Sequence, residues 1–306
     1  MKPINKYTPF TPKETKNSSP LHVVLTAWFC GCTILLFFLP QIKAYIHTAD
    51  DDDAMQETVQ QAIAEPNEQP PKVQNIPLPT PKPETNTKIA KLPTTIPQRV
   101  LLIGSSSMNS DLGAFLAQSL RKQEIYVYRH AKVGSGLVRP DFYDWMNILP
   151  DLIATHKPEL VIAQFIGNDC QSLLNNDGSL KAKYGTQEWD QAYQERIAAL
   201  ITLFHKQKIR IAFLGMSNVQ SSIFRQKLKR SNSIIYGVAS EHKVPFISLW
   251  ETTSSTSGSA QQQIIVNNIP KRMYQEDGIH LSRAGARMVA QDVFTQLKQL
   301  YDWTLP

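Results

Sequence analysis

From Arg99 onward five short apolar runs, RVLLIG, IYVYRH, ELVIAQFIG, RIAFLG and PFISLW, alternate with longer amphipathic stretches. Strands apolar at consecutive positions are buried on both faces, because a strand with one wet face would alternate polar and apolar residues. The stretches at 110–123, 141–156, 187–207, 221–243 and 282–300 carry helical spacing instead. This alternation predicts an α/β domain, a parallel sheet covered by helices on both faces.

In open sheets of that kind, ligands bind beyond the carboxyl ends of the strands. The residues that follow the runs are therefore the ones to inspect. Ser105, Ser106 and Ser107 follow the first run; Gly134, Ser135 and Gly136 follow the second; Asn168 and Asp169 follow the third. Asp277, Gly278, Ile279 and His280 stand just before the last helix.

A serine hydroxyl is a weak nucleophile until a base takes its proton, and the base needs a third group to orient it. Ser106, His280 and Asp277 supply those three types. The Asp-x-x-His spacing lets one turn bring carboxylate and imidazole to the same side. A tetrahedral intermediate also needs donors aimed at its oxyanion. Gly136 offers a backbone N–H with no Cβ in the way, and Asn168 an uncharged amide.

On these residues the domain resembles the SGNH hydrolases, the GDSL esterase superfamily, over roughly residues 99–300. The first block of that superfamily is matched by Gly104-Ser105-Ser106 and the second-block glycine by Gly136. The third block is matched by Gly167-Asn168-Asp169 and the last by Asp277-Gly278-Ile279-His280. The resemblance implies a three-layer α/β/α fold with a parallel, flavodoxin-like sheet. It implies Ser106 as nucleophile and one oxyanion donor, Gly136 and Asn168 as the other donors, His280 as base and Asp277 as its orienting partner. The family's first-block Asp is Ser105 here, which leaves Ser105 and Ser107 as rival nucleophiles and admits an inactive site. SGLVRPDFYDW and DGIHLSRAGA are similar to a membrane-anchored bacterial branch of that superfamily, and members of related branches add or remove acetyl esters on envelope polysaccharides, often beside a membrane-bound O-acyltransferase.

Arg139 and Asp169 are expected to contact substrate. Tyr143, Trp145, Asp141 and Phe142 read either as a sugar cleft or as core. Loops 170–186 and 252–275 are expected to flank the site, and His130, His156, His205 and His242 to be surface or structural residues. No metal or cofactor is expected, since no other carboxylate and histidine spacing matches a ligand set.

Ahead of the domain, LHVVLTAWFCGCTILLFFLP carries no Asp, Glu, Lys or Arg. About twenty such residues at 1.5 Å each span a bilayer core of roughly 30 Å. A cleaved signal peptide is the alternative, opposed by the length of the run and the lack of an A-x-A site after it. Lys2, Lys6, Lys13 and Lys16 precede the run and Asp50 to Asp53 follow it, so the N-terminus is expected to be cytoplasmic. The expected organisation is a tail over 1–20, a transmembrane anchor over 21–41, a Pro-rich linker over 42–97 and the hydrolase-like domain over 98–306. In a Gram-negative cell that domain would be periplasmic, carried by a single-pass inner-membrane protein.

Nine prolines between residues 48 and 97 mark the linker as an extended tether. From residue 98 onward 23 Lys and Arg face 17 Asp and Glu, so the whole net charge of +6 belongs to the domain. That favours anionic envelope polymers as neighbours, while nucleic acid is excluded by compartment and by the lack of a basic run with aromatics. Cys30 and Cys32 lie in the apolar run and Cys170 stands alone in the domain, so no disulfide forms within it.

The expected activity is that of an extracytoplasmic serine esterase or O-acyltransferase acting on short acyl, chiefly acetyl, esters of envelope polysaccharide. The alternatives are a non-catalytic glycan-binding or scaffolding module and a phosphate-cradling, flavodoxin-like protein. The latter lacks G-x-G-x-x-G and Gly-Lys-Ser/Thr motifs.

Overall fold

The computed structural model describes residues 96–303. The expected tail, anchor and nearly all of the linker lie outside the described residues, and among those described no helix is long and apolar enough to cross a membrane. Five strands form one parallel sheet: β1 (Arg99–Gly104), β2 (Tyr126–Ala131), β3 (Leu160–Gln164), β6 (Arg210–Leu214) and β7 (Phe246–Ile247). Their order is β2-β1-β3-β6-β7. The chain leaves β1 for β2 on one side and then crosses to β3 on the other, which opens a crevice at the carboxyl ends of β1 and β3.

Alternation along β1 feeds two cores. Leu101 and Ile103 point to one face, with Trp145, Leu149 and Ile153 of α3 (Trp145–His156), Trp189 to Phe204 of α4 (Gln187–Lys206) and Phe224 to Val238 of α5 (Ser222–Glu241). Val100 and Leu102 point to the other, with Met108 of α1 (Ser106–Asn109), Leu112 to Leu120 of α2 (Asp111–Arg121) and Ala286 to Leu297 of α6 (Arg283–Leu300). The result is three layers, with the sheet shielded from water on both sides.

Ser, Thr and Asp begin the longer helices for the reason those residues favour caps: a side-chain oxygen accepts an otherwise orphaned N–H. Asp144 takes the Met146 and Asn147 amides, Thr186 that of Trp189, Ser221 that of Phe224 and Ser282 that of Gly285. The cap at Asp144 starts α3 four residues later than residue 141, where the sequence pattern places it. Residues 139–143 form turns instead, with the Phe142 and Tyr143 amides on the Arg139 carbonyl.

The third apolar run, read as strand to Gly167, ends as a strand at Gln164, because residues 165–169 wind into turns joining Phe165 to Asn168 and Ile166 to Asp169. The loops over 170–186 and 252–275, expected to flank the site, hold small antiparallel pairs, β4 (Leu173–Leu174) with β5 (Leu180–Ala182) and β8 (Gln263–Val266) with β9 (Ile269–Arg272). Cys170 is a free, buried thiol, and burial pushes it up to about 12.

Candidate active site

The register of the sheet brings three loops together. Gly104 lies beside Ala131 on one side and Gln164 on the other, so Ser106, Gly136 and Asn168 all emerge just beyond the same crest. Gly104 is required there: a Cβ on it would fall 2.2 Å from the Gln164 carbonyl oxygen, to which Ser105 N–H also donates at 3.2 Å. Past this contact the chain turns at once into α1.

That single turn separates the three serines. Ser105 is 4% exposed and its side chain makes no cap bond, while its carbonyl accepts the Met108 and Asn109 amides. Ser106 is the one whose hydroxyl meets histidine, with Oγ 3.1 Å from His280 Nε2. Ser107 has its main-chain carbonyl engaged by the Ser110 hydroxyl at 3.0 Å.

The histidine is presented by a tightly wound loop. Asp277 Oδ1 accepts the Ile279 and His280 amides at 2.8 and 2.9 Å, and its Oδ2 lies 2.5 Å from His280 Nδ1. One carboxylate therefore shapes the turn and orients the ring, leaving Nε2 to accept from Ser106. Gly278 at φ +66° makes the turn passable, and its carbonyl receives the Gln220 amide at 3.0 Å. Tyr274, buried behind the loop, donates to the Asn218 carbonyl. Burial works to raise the Asp277 carboxyl, but hydrogen bonds from the His280 ring and the loop amides outweigh it and hold it below its ordinary value.

The segment from Ser135 to Val138 is buried, so its backbone polar groups need partners. Ser135 N–H and Oγ both donate to the Lys132 carbonyl, at 3.2 and 2.7 Å. Val138 N–H donates to Asp169 Oδ1 at 3.1 Å, and the Leu137 amide is turned to the same carboxylate. Gly136 N–H donates to no group among the described residues. The Asn168 side-chain amide likewise has no acceptor there, while the main-chain carbonyl of Asn168 receives Gln171 Nε2 at 2.5 Å. A Cβ on Gly136 would stand 3.5 Å from the Asn168 main-chain carbonyl carbon, so the two backbones run side by side.

The two expected substrate contacts have other duties. Asp169 is 0% exposed, with Tyr193 Oη donating to its Oδ2 at 2.8 Å. It lies behind the Gly136 loop instead of facing the crevice, because its oxygens are consumed by that loop and by α4. Burial pushes its carboxyl up to about 7 against those hydrogen bonds. Arg139 is bound in a bidentate pair by Asp141, with Nη2 to Oδ2 at 2.9 Å, and its Nη1 donates to Gln171 Oε1 at 3.2 Å. Arg139 thus supports Gln171, which in turn holds Asn168.

Trp145 is core, donating from Nε1 to Ser135 Oγ, whereas Phe142 is 46% exposed. His130 meets Tyr143 Oη at 2.6 Å and His156 stacks on Tyr128, both apart from the triad.

Gln171, Gln220 and Tyr274 carry no spacing signal that would have singled them out. Arg196 does: it interrupts the apolar stripe of α4 formed by Trp189, Tyr193, Ile197 and Leu200. A cation on a buried face needs a partner, and here it donates to the Leu137 and Leu174 carbonyls at 2.7 and 2.9 Å.

No curated protein matches the chain in sequence. Among solved structures it is similar to a GDSL-like lipase from Bacteroides thetaiotaomicron at 16% identity, with a TM-score of 0.47 over 72% of this chain and 96% of that one. It is also similar to Axe2, an acetylxylan esterase from Geobacillus stearothermophilus, at 13% identity, with a TM-score of 0.47 over 68% of this chain and 95% of that one. The model of a family described as "Protein of unknown function (DUF459)" matches residues 99–296, and the chain belongs to that family.

Proposed function

We propose that this chain is an SGNH-type serine esterase or O-acyltransferase that works outside the cytoplasm on short acyl esters of an envelope polysaccharide. The observation that carries the reading is the unbroken chain of hydrogen bonds from Asp277 through His280 to Ser106. Beside it lie two donors, Gly136 N–H and the Asn168 amide, that no protein acceptor occupies among the described residues.

In this reading Ser106 Oγ attacks the ester carbonyl as its proton passes to His280 Nε2. The carbonyl oxygen becomes an oxyanion within reach of Ser106 N–H, Gly136 N–H and Asn168 Nδ2. Each such donor is worth about 3 kcal/mol of transition-state stabilisation. His280 then gives its proton to the departing alcohol, leaving acyl-Ser106. Water or a sugar hydroxyl, deprotonated by the same imidazole, releases the acyl group and restores the serine.

The envelope assignment rests on sequence: the apolar run before the domain, the proline-rich tether and the +6 charge of the domain, which suits an anionic polymer. A membrane-bound O-acyltransferase is the proposed neighbour that would supply or exchange acyl groups.

The test is intact-mass analysis of the full chain after exposure to an activated acetyl ester, beside Ser106→Ala and His280→Ala. An acetyl adduct or turnover in wild type that both variants lack supports the reading. A wild type as inert as the variants leaves the non-catalytic glycan-binding module in its place.

A further inference from the structure

We infer that Arg196 and Asp169 are positioning residues of the oxyanion hole, an inference that rests on the esterase reading above. They grip a single peptide unit from its two ends. The Leu137 carbonyl accepts Arg196 Nη1 at 2.7 Å, and the N–H of the same peptide group, on Val138, donates to Asp169 Oδ1 at 3.1 Å. A cation at the oxygen and a carboxyl at the N–H both align with the peptide dipole, so rotating the peptide plane breaks both contacts together.

Helix α4 anchors the grip. Tyr193 and Arg196 stand one turn apart on it, Tyr193 donating to the other oxygen of Asp169 and Arg196 reaching on to the Leu174 carbonyl at 2.9 Å. Leu174 N–H closes the arrangement on the Val138 carbonyl at 3.0 Å. On the other side of Gly136, Ser135 is pinned to Lys132 and receives Trp145 Nε1. The Gly136 N–H thus lies between two fixed points, and its Cα rests against the Asp169 carboxylate, where a Cβ would come within 2.1 Å of Oδ1.

Holding one loop with a fully buried carboxyl and a half-buried guanidinium is costly, and an apolar contact would hold a loop whose only task was packing. What this arrangement supplies is a fixed direction for an N–H that must meet a developing charge, since a donor displaced by about an ångström forfeits much of its effect.

The experiment compares Arg196→Gln, Arg196→Lys and Asp169→Asn with wild type in the full chain, using 4-nitrophenyl acetate. It reads kcat, KM, thermal melting and deuterium uptake of the 133–139 segment. The expected result is a kcat lower by about tenfold or more in Arg196→Gln and Asp169→Asn with KM within about twofold, the signature of a lost transition-state interaction. Arg196→Lys, which keeps the charge and one donor, should recover part of kcat, and uptake over 133–139 should rise in the same order as kcat falls. A kcat within about twofold of wild type in both Arg196→Gln and Asp169→Asn, with only the melting temperature lowered, overturns the inference and leaves the esterase reading standing. A wild type without Ser106-dependent turnover overturns both.

Discussion

Replacing Gly136 with alanine would put a methyl group 2.1 Å from Asp169 Oδ1 and 3.0 Å from its Cγ. Real Cβ atoms essentially never come within 3.0 Å of a non-bonded neighbour, so close to an ångström of space has to be found. Asp169 has no room to yield, being fully buried with one oxygen on Val138 N–H and the other on Tyr193 Oη. The loop must recoil, which stretches or breaks the Val138 contact at a cost of about 1.5–3 kcal/mol. Overpacking strain adds about 1–3 kcal/mol. A total of about 2.5–6 kcal/mol, at roughly 2–4 °C per kcal/mol for a domain of this size, lowers the melting temperature by on the order of 10 °C. Circular dichroism melts measure it, and kcat with an activated ester should fall in parallel because the recoil carries Gly136 N–H away from its aim. Repeating the substitution in an Asp169→Ala background removes the obstructing carboxylate, so alanine at 136 should cost at least about 2 kcal/mol less there. Equal costs in the two backgrounds, or a wild-type cost under about 1 kcal/mol, would refute the steric argument.

Three other outcomes follow from the same geometry. Asp277→Asn keeps an acceptor for the Ile279 and His280 amides but loses the carboxylate at Nδ1, so steady-state kinetics should show kcat reduced by about 10²–10⁴ with melting little changed. Ser105→Ala should retain acyl-enzyme formation in intact-mass assays, because the Ser105 side chain makes no cap bond and is turned away from solvent. Asp169 has a folded-state pKa raised from its usual 3.8 to about 7. Its neutral form is thus favoured by folding: there is no penalty below about pH 4, stability is lost as pH rises through the window from about 4 to about 7, and the loss is complete above it. The full difference is about 4 kcal/mol, so urea midpoints at pH 5 and pH 8 should converge in Asp169→Asn relative to wild type, and identical pH dependence in the two proteins would count against the buried titration.

Much of the fold is readable from local pattern. RVLLIG is strand in sequence and structure alike, and α2, α4, α5 and α6 begin and end within about two residues of the expected limits, because periodicity and capping are encoded within a few neighbouring residues. The misreadings are local as well. The Phe165–Gly167 stretch is as apolar as the strand before it, yet it turns, because β3 gives way to the turn that delivers Asn168 and Asp169 to the crest. The pairs β4–β5 and β8–β9 were hidden in polar loops, since short strands of two to four residues carry too few positions for a period to show.

By itself, then, the sequence determined the strand and helix alternation, the residue types for acyl transfer and their order after successive strands. It named Ser106 as nucleophile with Ser105 and Ser107 as rivals beside it, and assigned Asp169 to the substrate. Tertiary structure decided both, by contacts that no local rule reaches. Ser106 meets His280 across 174 residues, and Arg196 grips Leu137 across 59. Which hydroxyl faces the base depends on the angle at which α1 leaves β1, and that angle is set by the Gly104–Gln164 contact between neighbouring strands. Asp169 turned inward because a buried loop beside it had N–H groups that only its carboxyl could satisfy, a demand that arises once the chain has packed.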